Sequence, residues 1–236
     1  MRLAVIIPAR KNSIRLKNKN FRVFHKISLF MKTLKFAKKI KIAKKIIVSS
    51  DNLNLLAELN KKNNDITTIF RPQRLASSKA NMFLVVKDIL KRSKNKDFDS
   101  LILLQPTSPF REIKIIKKAI KIFSLNKGKK SVASFTLGRK KNQYSFVEKK
   151  EKILILNKIK RIKDNNSVCH PNGNFFIFSK KFIETKKNFI VPKKTLAIFL
   201  NKKLSIDIDN KSDWRLAKNY VRWKNNYNNY FSTTRF

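Results

Sequence analysis

The chain has 236 residues, of which 57 are lysine or arginine and 14 are aspartate or glutamate, giving a net charge of +43. Hydrophobic residues make up 42%, including 19 phenylalanines, and this excludes disorder over the whole length because disordered chains lack so many large apolar groups. No apolar run is long enough for a membrane span of ~20 residues or for the core of a secretory leader.

Cysteine usage and the spread of charge limit the classes of partner. Cys169 is the single cysteine, so no intrachain disulfide can form, and we expect a cytoplasmic protein in a reducing compartment. The basic residues are distributed along helix faces and do not gather in one tail. We interpret the charge as compositional background, with a selected polyanion-binding surface as the alternative.

Short apolar strands alternate with helical patterns in the first part of the chain. Strands are predicted at 3–7, 45–50, 66–70, 100–104 and 131–135. Helices are predicted at 28–40, 52–62, 81–92 and about 112–123. This order predicts an α/β fold with a mostly parallel sheet and helices on both faces, in one domain that covers residues 1–236.

The alternating pattern breaks after residue 137. The segment 137–166 is charged and irregular, with strand-like pieces at 145–147 and 153–156, and we interpret about 137–170 as a dimerisation arm. Strand patterns return at 174–178 and 204–208. A final helix is predicted at 211–227, capped by Ser212 or Asp213.

The loop after the first strand, PARKNSIRLKNKN, is a candidate phosphate site. In parallel α/β sheets, ligands bind at the carboxyl ends of the strands, where this loop lies. It lacks the glycines of a Walker A loop, so a phosphate grip must come mainly from side chains. Arg10 offers a fork of donors, Lys19 a point charge and Ser13 a weaker donor. The alternative is a lysine-rich surface loop.

The sequence LSIDIDN at 204–210 places two carboxylates two residues apart. On a strand, Asp207 and Asp209 point to one side, and Ile206 and Ile208 to the other. Adjacent carboxylates repel unless a cation bridges them, and Mg²⁺ prefers such oxygen ligands together with water and substrate phosphates. The alternative is a pair of surface acids matched by nearby lysines.

Two further motifs carry polar groups at strand ends. Gln105 in LLQPTSPFR can both donate and accept hydrogen bonds, which suits sugar hydroxyls, although the motif could equally be a helix-capping turn. Asn172 and Gly173 form a tight-turn signal before an apolar strand. Cys169 and His170 are adjacent and would face opposite ways on a strand, which argues against a nucleophilic pair.

Together these motifs resemble those of the acylneuraminate cytidylyltransferases, the CMP-sialic acid synthetases, over nearly the whole chain. The resemblance is carried by IIPARKNSIRLKNKN, FRPQRLASSKAN, LLQPTSPFR, HPNGNFFIF and SIDIDN. It implies a Rossmann-like nucleotidyltransferase fold with a small dimerisation excursion, and a homodimer. It implies CTP-binding positions at Arg10, Ser13, Lys19, Asn20, Arg71 and Asn81, sugar-binding positions at Gln105 and Asn172, and metal ligands at Asp207 and Asp209.

The reaction that the resemblance implies is transfer of CMP from CTP to a 2-keto sugar acid of the sialic, legionaminic or pseudaminic type, as in cell-surface polysaccharide biosynthesis. It implies Mg²⁺ as the cofactor, catalytic roles for Arg10, Lys19 and Asp209, and either Asp209 or a metal-bound water as the general base. The alternatives are a CMP-3-deoxy-manno-octulosonate synthetase, a non-catalytic family member, or a basic nucleic-acid-binding protein, although we expect neither nucleic acid nor membrane as a partner.

The sequence departs from the family pattern within these motifs. Lys11 and Asn12 stand where the family often has two glycines, and Ile14 followed by Arg15 stands where a lysine commonly follows the serine. The further departures are Ser78 at an acidic position, Met82 at a frequent small hydroxyl position, and Arg161 and Lys163 as substitutes for the usual basic stretch before the NG strand.

Overall fold

The computed structural model describes residues 1–62, 65–93, 97–138, 146–147, 157–158 and 168–232. The strands are β1 (Leu3–Pro8), β2 (Val23–Phe24), β3 (Ile27–Ser28), β4 (Ala43–Ser50), β5 (Ile66–Phe70), β6 (Ser100–Leu103), β7 (Ser131–Leu137), β8 (Phe146–Val147), β9 (Asn157–Lys158), β10 (Val168–Ser179) and β11 (Thr195–Phe199). The helices are α1 (Leu29–Lys38), α2 (Leu53–Lys62), α3 (Gln73–Ala76), α4 (Met82–Arg92), α5 (Ile113–Leu125), α6 (Lys180–Thr185) and α7 (Lys211–Ser232), with a short 3₁₀ turn at Lys19–Phe21.

The main sheet has the strand order β11-β7-β10-β6-β1-β4-β5. The pairs β1–β4, β1–β6, β4–β5 and β7–β11 are parallel, whereas β10 runs antiparallel to both β6 and β7. The predicted mostly parallel sheet is therefore confirmed. Because β1 is an inner strand, between β6 and β4, the loop that follows it opens in the interior of the sheet's carboxyl edge and away from both outer strands.

Helices cover both faces of the sheet, as predicted. Along β1, Leu3, Val5 and Ile7 pack into one apolar cluster, which also holds residues of α1, α2 and α5. Ala4 and Ile6 pack into a second cluster with residues of α4 and α6. Side chains that alternate along a strand thus fill two cores, which explains why the strands read as continuous apolar runs.

The predicted strand at 204–208 is wrong, and β11 (Thr195–Phe199) was not predicted. Residues 202–205 form a turn, and residues 206–209 that follow have no regular secondary structure and join no strand of the described sheet. The alternation is nevertheless real, because Ile206 and Ile208 are buried in a third apolar cluster. One-sided burial produces the period-two pattern here without the strand pairing that it usually accompanies.

The cap of α7 also differs from the prediction. Asn210 precedes the helix, and its side-chain oxygen accepts from the backbone N–H of Asp213 at 3.0 Å. The Asp213 carboxylate in turn accepts from the backbone N–H groups of Asp209 (2.9 Å) and Asn210 (3.1 Å). This reciprocal arrangement is a capping box, in which Asp213 supplies the returning acceptor and Ser212 is not the cap.

Most of the predicted dimerisation arm lies outside the described residues, including the strand-like piece at 153–156 and the substitutes Arg161 and Lys163. Its described parts are the end of β7 with Gly138, the start of β10 at 168–170, β8 within the predicted piece at 145–147, and β9; β8 pairs with both β9 and β10. The arm, the homodimer and the single domain stay predictions. Among the described residues, no helix combines the length and apolar character that a membrane crossing requires.

Candidate active site

A cavity of about 150 Å³ opens at the carboxyl edge of the sheet, where β1, β5 and β6 end. Its lining includes most of the predicted site residues: Arg10, Lys19, Asn20, Arg71, Gln105, Asp207 and Asp209. Other groups at the cavity are Pro8, Leu75, Ser77, Ser78, Ala80, Met82, Val85, Pro106 and Thr107. The lining does not include Ser13, Asn81 or Asn172, within the part of the chain that the structure describes.

The glycine-free loop after β1 is shaped by bonds between its side chains and its own backbone. The Ser13 hydroxyl donates to the Leu16 carbonyl and accepts from the Lys19 N–H, both at 2.8 Å. Asn20 donates from its amide to the Arg10 carbonyl at 3.0 Å. Ser13 therefore acts on the loop, where it turns the backbone so that Lys19 faces the cavity.

Lys19 faces inward and contacts residues 204–210, called here the aspartate segment because they carry Asp207 and Asp209. Its ammonium nitrogen donates to Asp209 Oδ1 at 2.9 Å, and its side chain is only 11% exposed. The loop residue Leu16 and the aspartate-segment residues Ile206 and Ile208 share the third apolar cluster, which holds these two segments together. The sequence alternation correctly places Asp207 and Asp209 on the same side, toward the cavity.

Arg71 brings a buried positive charge to the cavity wall. It is 2% exposed, and its guanidinium donates to the Ser49 carbonyl at 2.9 Å. Burial lowers its pKa to about 10, the Asp51 carboxylate opposes that shift, and the positive charge of Arg10 adds to it. The guanidinium therefore stays cationic at neutral pH. The repulsion between Arg10 and Arg71 would be relieved by an anion bound between them.

Asn81 and Asn172 have local structural partners. The Asn81 side chain caps α4 by accepting from the Phe83 N–H at 2.8 Å. Asn172 is 4% exposed, and its amide donates to Thr136 Oγ1 (2.9 Å) and Ser205 Oγ (3.2 Å). Both amide hydrogens of Asn172 are thus used within the protein. The ligand roles assigned to Ser13, Asn81 and Asn172 stay predictions, since the observed bonds are structural.

Gly173 brings the candidate sugar and metal residues together. Its φ of +76° is a left-handed conformation that glycine adopts without a Cβ penalty. A Cβ built there would lie 3.8 Å from Gln105 Nε2 and 3.9 Å from Asp207 Oδ2. The turn therefore lets the backbone lie directly beside both side chains, which places the predicted sugar and metal positions next to each other.

Arg111, the last residue of LLQPTSPFR, is a site residue that sequence reasoning did not single out. Its guanidinium donates to the carbonyls of Gln105 and Asn174 and to Thr33 Oγ1. Burial lowers its pKa to about 9, and the Asp207 carboxylate opposes this shift. Arg111 thus ties α1, the Gln105 loop and β10 together beneath the cavity. The only signal for Arg111 in the sequence is a basic side chain directly after Pro109 and Phe110.

Asn174 provides a second tie between segments, and we predict that Asn174→Ala lowers the free energy of unfolding by about 2–3 kcal/mol. Its side chain is 3% exposed and donates to the carbonyls of Phe110 and Leu204, both at 2.7 Å. The substitution would leave two carbonyls without these donors. Urea unfolding at 25 °C measures the loss, with the exposed Asn54→Ala on α2 as the control. A loss no larger than that of the control would contradict this role.

The donor set at the cavity fits a hard divalent cation. Asp207 and Asp209 both line it, and no group of three or more His, Cys, Asp and Glu side chains in the described ranges is arranged to hold a metal ion. A cation bound by two carboxylates must take its other ligands from water and from a bound anion. This is the coordination that Mg²⁺ favours at nucleotide sites.

Comparisons with known proteins agree with this geometry. A family model described as "Cytidylyltransferase" matches residues 4–229. An N-acylneuraminate cytidylyltransferase of Escherichia coli O18:K1:H7 is 33% identical over 227 residues, covering 95% of this chain and 53% of that protein. A CMP-N,N'-diacetyllegionaminic acid synthase of Legionella pneumophila is 29% identical over 92% of this chain and 95% of that protein. The chain thus spans about half the length of the Escherichia coli relative.

Two solved structures share the fold. A CMP:2-keto-3-deoxy-manno-octonic acid synthetase complexed with CTP superposes with a TM-score of 0.70 at 9% identity, covering 95% of this chain and 100% of that one. A 4-diphosphocytidyl-2C-methyl-D-erythritol synthase from Anaerococcus prevotii superposes with a TM-score of 0.62 at 14% identity, covering 94% of this chain and 98% of that one. At these identities the likeness concerns the fold alone.

Proposed function

The chain belongs to the cytidylyltransferase family, and on that premise we propose that it transfers CMP from CTP to a 2-keto sugar acid and releases pyrophosphate. The observation that carries the proposal is the composition of one cavity. Arg10, Lys19 and Arg71 bring positive charge to the same space that Asp207 and Asp209 line with carboxylates. A triphosphate with its divalent cation requires both kinds of group.

In the proposed reaction, the anomeric hydroxyl oxygen of the sugar attacks the α-phosphorus of CTP. The bond from that phosphorus to the bridging oxygen of the β-phosphate breaks, pyrophosphate leaves with the electron pair, and the hydroxyl proton passes to a base. Phosphoryl transfer of this kind depends on positioning and charge stabilisation. Arg10 and Lys19 supply fixed positive charge, which stabilises the charge that develops on the leaving pyrophosphate.

The remaining cavity residues suit binding and orientation. The Gln105 amide presents donors and an acceptor for sugar hydroxyls beside Gly173 and Asp207. Asp207 and Asp209 would hold Mg²⁺, which when bound neutralises phosphate oxygens and orients the triphosphate. Asp209 is itself held in place by the Asp213 cap and the Lys19 ammonium, so its carboxylate enters the cavity in a fixed direction.

We propose a sugar acid of the sialic, legionaminic or pseudaminic type. The support comes from the two named relatives, which match at least 92% of this chain. The alternative 3-deoxy-manno-octulosonate substrate has support only from a likeness of fold at 9% identity. Cytoplasmic location and homodimer formation are proposals that rest on the single cysteine and on the family, respectively.

We predict that the purified protein releases pyrophosphate from CTP when Mg²⁺ and one of these nonulosonic acids are present. The assay pairs CTP with N-acetylneuraminate, N,N'-diacetyllegionaminate, pseudaminate and 3-deoxy-manno-octulosonate in turn. UTP in place of CTP serves as the nucleotide control, and EDTA as the metal control. We expect release to need CTP and to stop on chelation.

Pyrophosphate release confined to 3-deoxy-manno-octulosonate would transfer the assignment to that substrate. An absence of release with every sugar acid, combined with tight and salt-sensitive RNA binding, would favour the nucleic-acid-binding alternative. Salt sensitivity is the discriminating measurement there, because binding to a phosphate backbone weakens steeply as salt rises.

A further inference from the structure

Asp209 contacts two cations of very different exposure. Lys19 Nζ lies 2.9 Å from Asp209 Oδ1, and the lysine side chain is 11% exposed. Arg15 Nη2 lies 3.4 Å from Asp209 Oδ2, and the arginine side chain is 69% exposed. One carboxylate oxygen of Asp209 therefore contacts a buried cation, and the other contacts a cation that is mostly exposed to solvent.

The two contacts differ in how firmly the loop holds each cation in position. The Lys19 backbone N–H is bonded to Leu16 and to Ser13, so the inner cation sits on a fixed turn. Arg15 reaches Asp209 from an exposed stretch of the same loop. Exposed ion pairs are weak because water solvates both partners, so the outer contact can be exchanged while the inner one stays in place.

A divalent cation that binds Asp209 must compete with this outer contact. The guanidinium lies at Oδ2, and its charge repels any cation that approaches the carboxylate. A nucleoside triphosphate changes the balance, since its phosphate oxygens bring negative charge that offers Arg15 another partner. Guanidinium groups bind phosphate readily through their planar fork of donors.

We propose that Arg15 is a further binding residue of this site, an exchangeable counter-ion that holds Asp209 until a divalent cation arrives with its nucleoside triphosphate. This inference rests on the proposed function for the identity of the nucleotide. It assigns a role to a position where the chain departs from the family pattern. Its consequence is that Arg15 keeps cation affinity low in the nucleotide-free protein, and that nucleotide and cation strengthen each other's binding.

The test measures Mn²⁺ binding to the nucleotide-free protein by the electron paramagnetic resonance signal of free Mn²⁺. We expect Arg15→Gln to bind Mn²⁺ about fivefold more tightly than the unaltered chain, because one nearby positive charge and one competing contact are removed. Lys17→Gln is the matched control, since it removes the same charge from an exposed position in the same loop. We expect that control to change the affinity by less than about twofold.

A second readout is the ratio of Mn²⁺ affinities with and without CTP, which should shrink in Arg15→Gln. The inference is overturned if Arg15→Gln and the unaltered chain bind Mn²⁺ equally, if Lys17→Gln gains as much as Arg15→Gln, or if no variant binds Mn²⁺. Pyrophosphate release by the unaltered chain tests the proposed function separately. If the expected Mn²⁺ result is obtained but the unaltered chain releases no pyrophosphate, the proposed function is overturned and the counter-ion role of Arg15 still stands.

Discussion

Replacing Asp209 with asparagine should lower kcat for pyrophosphate release about a thousandfold, equivalent to about 4 kcal/mol of transition-state stabilisation. The substitution keeps the size of the side chain and removes its charge. Asparagine is a far weaker ligand for a hard cation than a carboxylate, and it no longer attracts the Lys19 ammonium and the Arg15 guanidinium as an anion does. Steady-state kinetics with saturating CTP and sugar acid measures the effect.

The free energy of unfolding and a control variant separate this loss of activity from misfolding. The asparagine side-chain oxygen can still accept from Lys19, so we expect the free energy of unfolding to change by less than about 1 kcal/mol. Asp65→Asn is the matched control, because Asp65 forms a surface pair with Lys38 at 3.5 Å, away from the cavity. We expect that control to keep full activity. An Asp209→Asn variant with kcat within a few-fold of the unaltered chain would show that the metal assignment is wrong.

Replacing Arg111 with methionine should lower the free energy of unfolding by about 3 kcal/mol. The guanidinium donates to groups on three separate segments, and its loss leaves the carbonyls of Gln105 and Asn174 without that donor. It also removes the positive charge that attracts the Asp207 carboxylate. Urea unfolding followed by circular dichroism measures the loss.

Arg111→Lys divides this effect into charge and geometry. Lysine keeps a positive charge near Asp207 but cannot reach three acceptors with a planar fork, so we expect a smaller loss of about 1–2 kcal/mol. Arg74→Met is the control, since Arg74 has a side chain that is 74% exposed and pairs with Asp88 at 3.6 Å. A pair with so exposed a partner contributes at most about 1 kcal/mol, and Asp88 keeps its second partner, Arg92, in this variant. Equal losses for Arg111→Met and Arg74→Met would remove the structural role of Arg111.

Much of the fold was readable from the sequence because strand and helix periodicities are local. Leu3 to Ile7 pack alternately into two cores, and this burial on both faces is what a continuous apolar run predicts. The same reasoning failed at 204–208, where Ile206 and Ile208 alternate with the aspartates but no sheet partner is present among the described strands. Periodicity in the sequence indicates which side of a segment is buried, and it does not indicate whether another strand pairs with that segment.

The amino-acid sequence alone was enough to predict the alternating strands and helices up to about residue 137 and the loops that meet at the carboxyl edge of the sheet. It also singled out five motif residues that line one cavity: Arg10, Lys19, Gln105, Asp207 and Asp209. The tertiary structure decided how neighbouring side chains are used. Ser13 and Asn172 bond to the protein itself, Arg111 joins three segments, and Arg15 meets Asp209. The physical reason is distance along the chain. Lys19 and Asp209 are 190 positions apart, so their hydrogen bond exists only once the apolar clusters have brought the two segments together.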